Sequence, residues 1–522
     1  MVNLFPEVIP EGGKEPGFLS RCPGLSKLAT IGFGPIRGLW TYGGLGYVVS
    51  GNQFYSIDTS WNATLIGTVT GTGPVSMSDN GIQLFIACNP DGYIYNANTK
   101  AFGKITSAAF AGAVTVSYID GYFVFNQPNS QIFWITSLLD GTTIDPLDFA
   151  SAEGFPDQLM SLIVDHLEIW LFGSNSVEVW YDAGATPFPM ARIQGAFLEV
   201  GCAAAYSVAK LDNSVFWLGA DARGRGIIYR ANGYTPTRIS TNAVEYAIQS
   251  YGNITDAIGY TYQQDGHPFY VLIFPTANAT WVFDVSTNLW HERAGFTDGQ
   301  FTRHRSNCQM AFSNKIVVGD YVNGNIYAFD LTNYADNGDI QKWLRSWRAL
   351  PTGQNNLKRT AHHSLQLDAE TGVGLNAYPA YDGEDLATES DNVIVAEFVQ
   401  GYLTTQGGNQ LVTEAGDGNE PLVTQVQPAE DYNGYALETE AYTAAPGYDP
   451  QVMLRWSDDG GHTWSNEHWK SMGKLGTYGT RTIWRRLGMT DKIRDRVYEV
   501  SGTDPVKIAI MGAELYITPT NA

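Results

Sequence analysis

One pattern recurs through the first two thirds of the chain and limits its fold more than any other feature. A polar turn leads into an aromatic or β-branched run, then a Gly- or Asn-centred turn, then a second run carrying Tyr, Phe or Trp. The units read GLGYVVSGNQFYSID from Gly44, GIQLFIACNPDGYIYNAN from Gly81, DGYFVFNQPNSQIFWIT from Asp120 and DHLEIWLFGSNSVEVWYDAG from Asp165. They continue as DNSVFWLGADARGRGIIYRANG from Asp212, DGHPFYVLIFPTANATWVFDV from Asp265 and SNKIVVGDYVNGNIYAFDL from Ser313. Each reads as a hairpin, because β-branched and aromatic residues suit a pleated surface and Gly or Asn accepts the positive φ of a tight turn. Successive starts lie 37, 39, 45, 47, 53 and 48 residues apart, close to the length of a four-stranded propeller blade. A β-sandwich also spaces its strands in this way. The expectation is a seven-bladed β-propeller over residues 31–335, with each hairpin as the inner pair of a blade.

Composition agrees with an all-β chain. Glycine numbers 56, aromatic residues make up 13% and charged residues only 16% of 522 residues, as many short strands joined by tight turns require. That length suffices for two or three domains. After Asp330 the segment NYADNGDIQKWLRSWRAL leaves the repeat, and Trp343 and Trp347 at i, i+4 spacing suggest a partly helical linker. The alternating runs AHHSLQLDAETGVGL, QVMLRWSDDGGHTWSNEHWKSMG, TRTIWRRLGMTDKIRDRVYEVSG and VKIAIMGAELYIT predict a small carboxy-terminal β-sandwich over 336–374 and 451–522. Residues 1–30 are left as an amino-terminal arm. Residues 375–450 form an acidic insertion, read as a β-rich arm or lobe because NVIVAEFVQGYLTT is too apolar for a pure linker; a tolerated surface loop is the other reading.

The opening stretch MVNLFPEVIPEGGKEPGFLS lacks the basic and apolar regions of a signal peptide, and no apolar run reaches membrane-spanning length. A soluble protein made in a cytoplasm, without membrane insertion, is expected. Cys22, Cys88, Cys202 and Cys308 stand singly, which suits buried free thiols better than disulfides or a zinc site. The N-x-T triplets at Asn62, Asn253 and Asn278 are then chance matches.

The formal charge of −22 argues against nucleic-acid binding, which draws on clustered Lys and Arg. Its distribution is uneven. Residues 375–450 hold 14 acidic and no basic groups, whereas residues 341–374 with 451–522 hold 15 basic and 10 acidic ones.

Few groups offer chemistry. Ser457, Asp459, Gly461, Thr463 and Trp464 spell S-x-D-x-G-x-T-W, the Asp-box known from sialidases. Asp and Ser can bond nearby backbone groups and Gly tolerates positive φ, so the motif predicts a structural hairpin turn, with Thr463 and Trp464 starting the returning strand. GFGPIRG from Gly32 imitates a phosphate loop but precedes no helical pattern, which leaves a β-turn. His362 and His363 would face opposite sides of a strand and cannot chelate together. A sialidase needs three convergent arginines, and no order marks any three of Arg37, Arg192, Arg223, Arg225, Arg230 and Arg238. The expectation is a chain without catalytic, cofactor or metal residues. The basic run WRRLG, Trp484 to Gly488, with Lys492, Arg494 and Arg496, is either an interface for an acidic partner or a solvated strand face. Arg485, Arg486 and Arg494 are the candidate assembly residues.

Several segments resemble the packaged-DNA stabilisation proteins, or tail hubs, of short-tailed bacteriophages. They are GFLSRCPGL, GTVTGTGPVSMS from Gly67, GYFVFNQPNSQIFWIT with DFASAEGFPDQLMSLIVDHLEIWLFGSNSVEVWYDAG, and GCAAAYSVAKLDNSVFWLGAD from Gly201, with the Asp-box hairpin and WRRLG. The resemblance covers most of 17–374 and 451–522; the acidic insertion departs from the simplest family pattern. It implies a virion tail component assembled in the host cytoplasm as a ring, commonly hexameric, below the head-tail adaptor. Such a ring closes the DNA channel after packaging, anchors needle, spike or fibre proteins, and conducts genomic DNA without specific binding. Acidic walls suit that passage, although screening limits their reach to about 8 Å. The rivals are a propeller glycosidase or sialidase acting on host surface sugars and a monomeric Kelch-like binding scaffold, which the sixth unit's WVFDVSTNLWHER resembles.

Overall fold

A computed structural model describes residues 1–9, 16–221, 224–348, 359–375, 386–387, 393–394, 447–490 and 496–520. Among them lie many short strands and one α-helix, Asn242–Gln249. The chain divides into two compact units, one of Met1–Glu370, Val452–Lys470 and Ile483–Ala522, the other of Thr371–Gln451 and Ser471–Thr482.

In the larger unit, seven sheets of four or more strands follow one another among the described residues from 24 to 340, antiparallel apart from the pairing of Gly24–Thr30 with Ala335–Asp336 in the last. The first holds Ile36–Tyr42, Leu45–Ser50, Gln53–Ile57 and Ala63–Thr68 in chain order. All seven hairpins expected from the sequence are present, one per sheet, but they are the middle pair and not the inner pair. In the second sheet, for example, the hairpin is Gln83–Cys88 with Asp91–Asn96, flanked by Ser76–Asp79 and Phe102–Lys104. Middle strands are covered on both faces, so their apolar runs are nearly continuous, and Gln83–Cys88 is buried at every residue. Flanking strands carry weaker signals, as in the largely exposed Ala63–Thr68.

Each sheet packs on the next. Val49 and Phe54 of the first meet Leu84 and Ile86 of the second, and comparable clusters follow between each later pair. Ile326 and Val317 of the seventh then meet Ile36 and Val48 of the first, which closes the propeller. The last sheet takes a strand from the amino-terminal segment. Gly24–Thr30 pairs antiparallel with Asn325–Asp330, placing buried Leu25 opposite Phe329 and leaving Lys27 exposed. Sheets that are not neighbours also meet: Tyr206, from the fifth sheet's entry turn, donates to the Val114 carbonyl before the third sheet at 3.4 Å. Arg37 of the first sheet and Cys88 of the second lie close enough to act on its phenol electrostatically, and burial pushes that phenol up to about 12.

Two further sheets build the carboxy-terminal β domain. One orders Leu4–Val8, Gly17–Arg21, Ala509–Pro519, Thr360–Ala369 and Ile483–Arg485; the other orders Trp343–Arg348, Val497–Gly502, Gln451–Ser457 and His468–Ser471. The segment 1–30, expected to be an arm, therefore contributes two strands to this domain and one to the propeller. The expected helical character around Trp343 and Trp347 is corrected as well, since both lie in the strand Trp343–Arg348. Spacing of i, i+4 also keeps two residues on one face of a strand, so the pair could not tell the two apart. Across the sandwich, His362 faces inward, its Nδ1 2.7 Å from the Tyr498 hydroxyl, and burial holds its pKa down to about 4.

In the smaller unit the strands Leu386–Ala387 and Val393–Ile394 pair antiparallel, and Leu375 donates to the Gly447 carbonyl at 2.7 Å. Most of the expected arm at 375–450 lies outside the described residues.

Candidate functional site

The Asp-box closes on itself. The Ser457 hydroxyl donates to Asp459 Oδ1 at 2.6 Å and accepts from the Gly461 amide at 2.8 Å. Asp459 Oδ1 also takes the His462 and Thr463 amides at 2.9 Å each, and its Oδ2 takes the Thr463 hydroxyl at 2.7 Å. These donors hold the carboxyl far below the usual range, the Ser457 bond contributing most. The next ladder strand starts at His468, so Thr463 and Trp464 stand in the turn and not on the returning strand, as the sequence had suggested. The Trp464 ring instead carries the Arg455 guanidinium, 4.7 Å from its centroid. Every hydrogen bond shown for the Asp459 carboxylate stays inside the loop and braces it. Asp459→Ala is therefore expected to lower the melting temperature by on the order of 2–4 °C and to leave assembly unchanged. An unaltered melting curve would show that the side chain does not brace the hairpin.

Of the candidate assembly residues, Arg485 and Arg486 are exposed, while Arg494 lies outside the described residues, as does Lys492. Arg486 adopts positive φ, 62°, directly after the edge strand Ile483–Arg485. Near them the His363 ring packs at a tilt on Tyr516, their centroids 4.9 Å apart, and Tyr516 is exposed. Other members of the run are not surface groups. Trp484 is buried and donates to the His468 carbonyl at 2.7 Å. Arg496, grouped with the exposed run from sequence, is buried too. It makes a bidentate pair with Asp458 at 2.6 and 2.7 Å and donates to the Leu487 carbonyl at 2.7 Å.

The propeller arginines go separate ways. Arg37 is buried and donates to the carbonyls of Gly73, Gly51 and Thr70. Arg192 pairs with Glu178, Arg230 with Asp212 and Arg238 with Glu245; Arg225 is exposed and Arg223 lies outside the described residues. The GFGPIRG turn leads into Ile36–Tyr42, and Gly34, at φ +77°, sits where a Cβ would collide with Asn323. Among the described residues no group of three or more His, Cys, Asp or Glu is arranged to hold a metal. Cys22, Cys88 and Cys202 are buried and Cys308 partly so, all as free thiols.

Three buried polar groups join segments hundreds of residues apart, a meeting that no spacing in the sequence encodes. Arg21, on a strand of the carboxy-terminal domain, donates to the carbonyls of Val506 at 2.9 Å and Tyr334 at 3.0 Å, and to those of Asp504 and Gln341. His267 of the sixth propeller sheet binds Asp284 through Nδ1 at 2.9 Å and Glu7 through Nε2 at 3.0 Å. Burial pulls its pKa down, but the Asp284 and Glu7 bonds outweigh that and raise it. Asn3 donates to the carbonyls of Ala294 and Lys342, both at 2.8 Å. All three tie the two β domains together.

No curated protein matches the chain. Solved structures similar in part include the computationally designed Ika8 protein, at 11% identity over 58% of this chain and 99% of that one, with TM-score 0.37. A chain of the S. cerevisiae Dbp5 complex with Nup159 and Gle1 has 10% identity over 62% and 98%, with TM-score 0.39. One from the mitotic checkpoint complex has 12% identity over 62% and 99%, with TM-score 0.39. Residues 1–334 match the family model described as Bacteriophage P22 Gp10, beta-propeller, and residues 422–518 match that of the Bacteriophage P22 Gp10 beta-sandwich. With its propeller and its carboxy-terminal sandwich both accounted for, the chain belongs to this family of phage tail structural proteins.

Proposed function

We propose that the chain is one subunit of a homo-hexameric ring in a short phage tail, below the head-tail adaptor. There it closes the DNA channel after packaging, anchors needle, spike or fibre proteins, and lets the genome slide through at ejection. Its seven sheets are the seven blades of a propeller that serves as a wall block and not as the conduit. The observation that supports this is a contact between blades that are not neighbours: Tyr206 of the fifth sheet reaches Val114 before the third, within electrostatic reach of Arg37 and Cys88, and such contacts narrow the axis. A duplex then has to pass between copies, where walls of a chain with net charge −22 repel phosphate. Closing such a ring needs heterologous contacts, and Arg485 and Arg486 offer exposed positive charge in a chain that is otherwise acidic.

Reversing both to glutamate is expected to slow ring or tail assembly roughly tenfold at low salt, because complementary charge acts mainly on encounter rates. The monomer should keep its circular dichroism spectrum and melting temperature. Sedimentation against time, with the adaptor ring present, reads the outcome; assembly at the wild-type rate would leave the two arginines as a solvated face.

A further inference from the structure

A cavity of about 210 Å³ opens beside the seventh sheet, between the hairpin Ala294–Thr297 with Gln300–Arg303, the loop after Asp320, and residues Asp336 to Ile340. Among the residues lining it are three aspartates, Asp320, Asp336 and Asp339, and one arginine, Arg305. Two of the three are already occupied. Asp320 accepts from the Val322 amide and the Tyr327 hydroxyl, both at 2.7 Å, and Asp339 pairs with Arg305. Asp336 is different. It is 2% exposed, its Oδ1 accepts from Gln341 Nε2 at 3.3 Å, and its Oδ2 has no hydrogen-bond partner among the described residues.

A buried carboxyl oxygen without a donor is costly in either protonation state. Burial pushes this carboxyl up to about 7, against the pull of Gln341, Arg305 and Arg21. Those two arginines are committed elsewhere: Arg21 to the four carbonyls described above, Arg305 to Asp339. What the site lacks is an N–H donor that brings positive charge. Phe296, Val322 and Ile340 supply an apolar approach to it, the last two exposed at the mouth by 65% and 48%.

We propose that this cavity binds a single alkylguanidinium or alkylammonium group, which donates to Asp336 while its stem lies against Phe296, Val322 and Ile340. Such a group comes either from an arginine or lysine side chain of a second copy, where exposed Arg485 and Arg486 are available, or from a free small cation.

The test is calorimetric titration of the full chain with n-butylguanidinium, n-butylammonium and the neutral n-butylurea. The two cations are expected to bind and the urea not. Asp336→Asn should weaken cation binding at least tenfold, and Val322→Trp, which fills the exposed mouth without touching the buried carboxyl, should do the same at an unchanged melting temperature. Equal binding of the urea, or cation binding that survives both substitutions, overturns the proposal and leaves a cavity that holds water only. Repeating ring assembly with saturating butylguanidinium separates the sources: inhibition assigns the site to a neighbour's side chain, unaltered assembly to a free cation. The titration is run on the unassembled chain, where no neighbour's side chain can occupy the cavity, so it can fail while the ring reading stands, and the converse.

Discussion

Leu25→Asp is expected to prevent the propeller from closing, giving insoluble protein or a chain without cooperative melting. Leu25 is fully buried among Tyr262, Val318, Tyr327 and Phe329, at the seam where the amino-terminal strand completes the last sheet. Truncating a buried leucine costs about 2–5 kcal/mol, and a carboxylate at an apolar position adds its own desolvation. The sum approaches the roughly 5–15 kcal/mol by which a domain is held folded. Position matters as much as chemistry, because this strand pairs with residues 325–330 and so adds backbone hydrogen bonds between the two ends of the propeller sequence to the packing of the first sheet on the last. Lys27→Asp, two residues along on the exposed side of the same strand, supplies the control and should melt as the wild type does. Soluble yield, near-ultraviolet circular dichroism and a thermal scan of both variants read the result. A Leu25→Asp protein with wild-type melting would mean that the sheets hold the ring without this strand.

The closing strand leaves little signal in the sequence because of its composition. GLSKLAT has one fully buried apolar residue, an exposed lysine and a bulge between Lys27 and Ala29, so it lacks the continuous aromatic run that betrayed the seven hairpins. Middle strands such as His267–Phe274 are nearly all buried, and burial on two faces is what writes a legible signal. First and last strands of each sheet face the crowded axis or solvent, and their patterns fade accordingly. The seven hairpins are therefore legible in the sequence, while their place within each sheet, one strand further from the axis than expected, is not. The Asp-box was legible for a different reason: its bonds join residues within four positions of one another, so local chemistry suffices.

The polar hubs were illegible on the same grounds. Arg21 lies more than 300 residues from Tyr334 and more than 480 from Asp504, and no spacing in the sequence encodes such a meeting. Arg496 was grouped with exposed neighbours because charge normally means surface; its bidentate bond to Asp458 and the carbonyls of Leu487 and Met489 reverse that expectation. The orphaned oxygen of Asp336 is likewise a property of three segments that converge only in the fold.

Arg21→Met should uncouple the two β domains. The guanidinium is 2% exposed and sits where four backbone carbonyls converge, two from residues 334 and 341 that lead out of the propeller and two from residues 504 and 506 of the carboxy-terminal domain. Burial lowers its pKa to about 10, which still leaves it charged at neutral pH. Methionine fills much of the volume but donates nothing, and each buried carbonyl left unpaired costs about 1–3 kcal/mol. A loss of roughly 3 kcal/mol or more follows even if water recovers some of the bonds. Arg21→Lys should recover only part of it, since a single ammonium cannot reproduce a planar fork that reaches carbonyls on both sides. Because Asn3 and the His267–Glu7 contact also bridge the domains, the variant is expected to fold and to melt in two steps, the carboxy-terminal domain first. Proteolysis should then cut between residues 335 and 348 at temperatures where the wild type resists. One transition at the wild-type temperature would mean that Asn3 and His267 suffice, and that the arginine satisfies the carbonyls without holding the domains together.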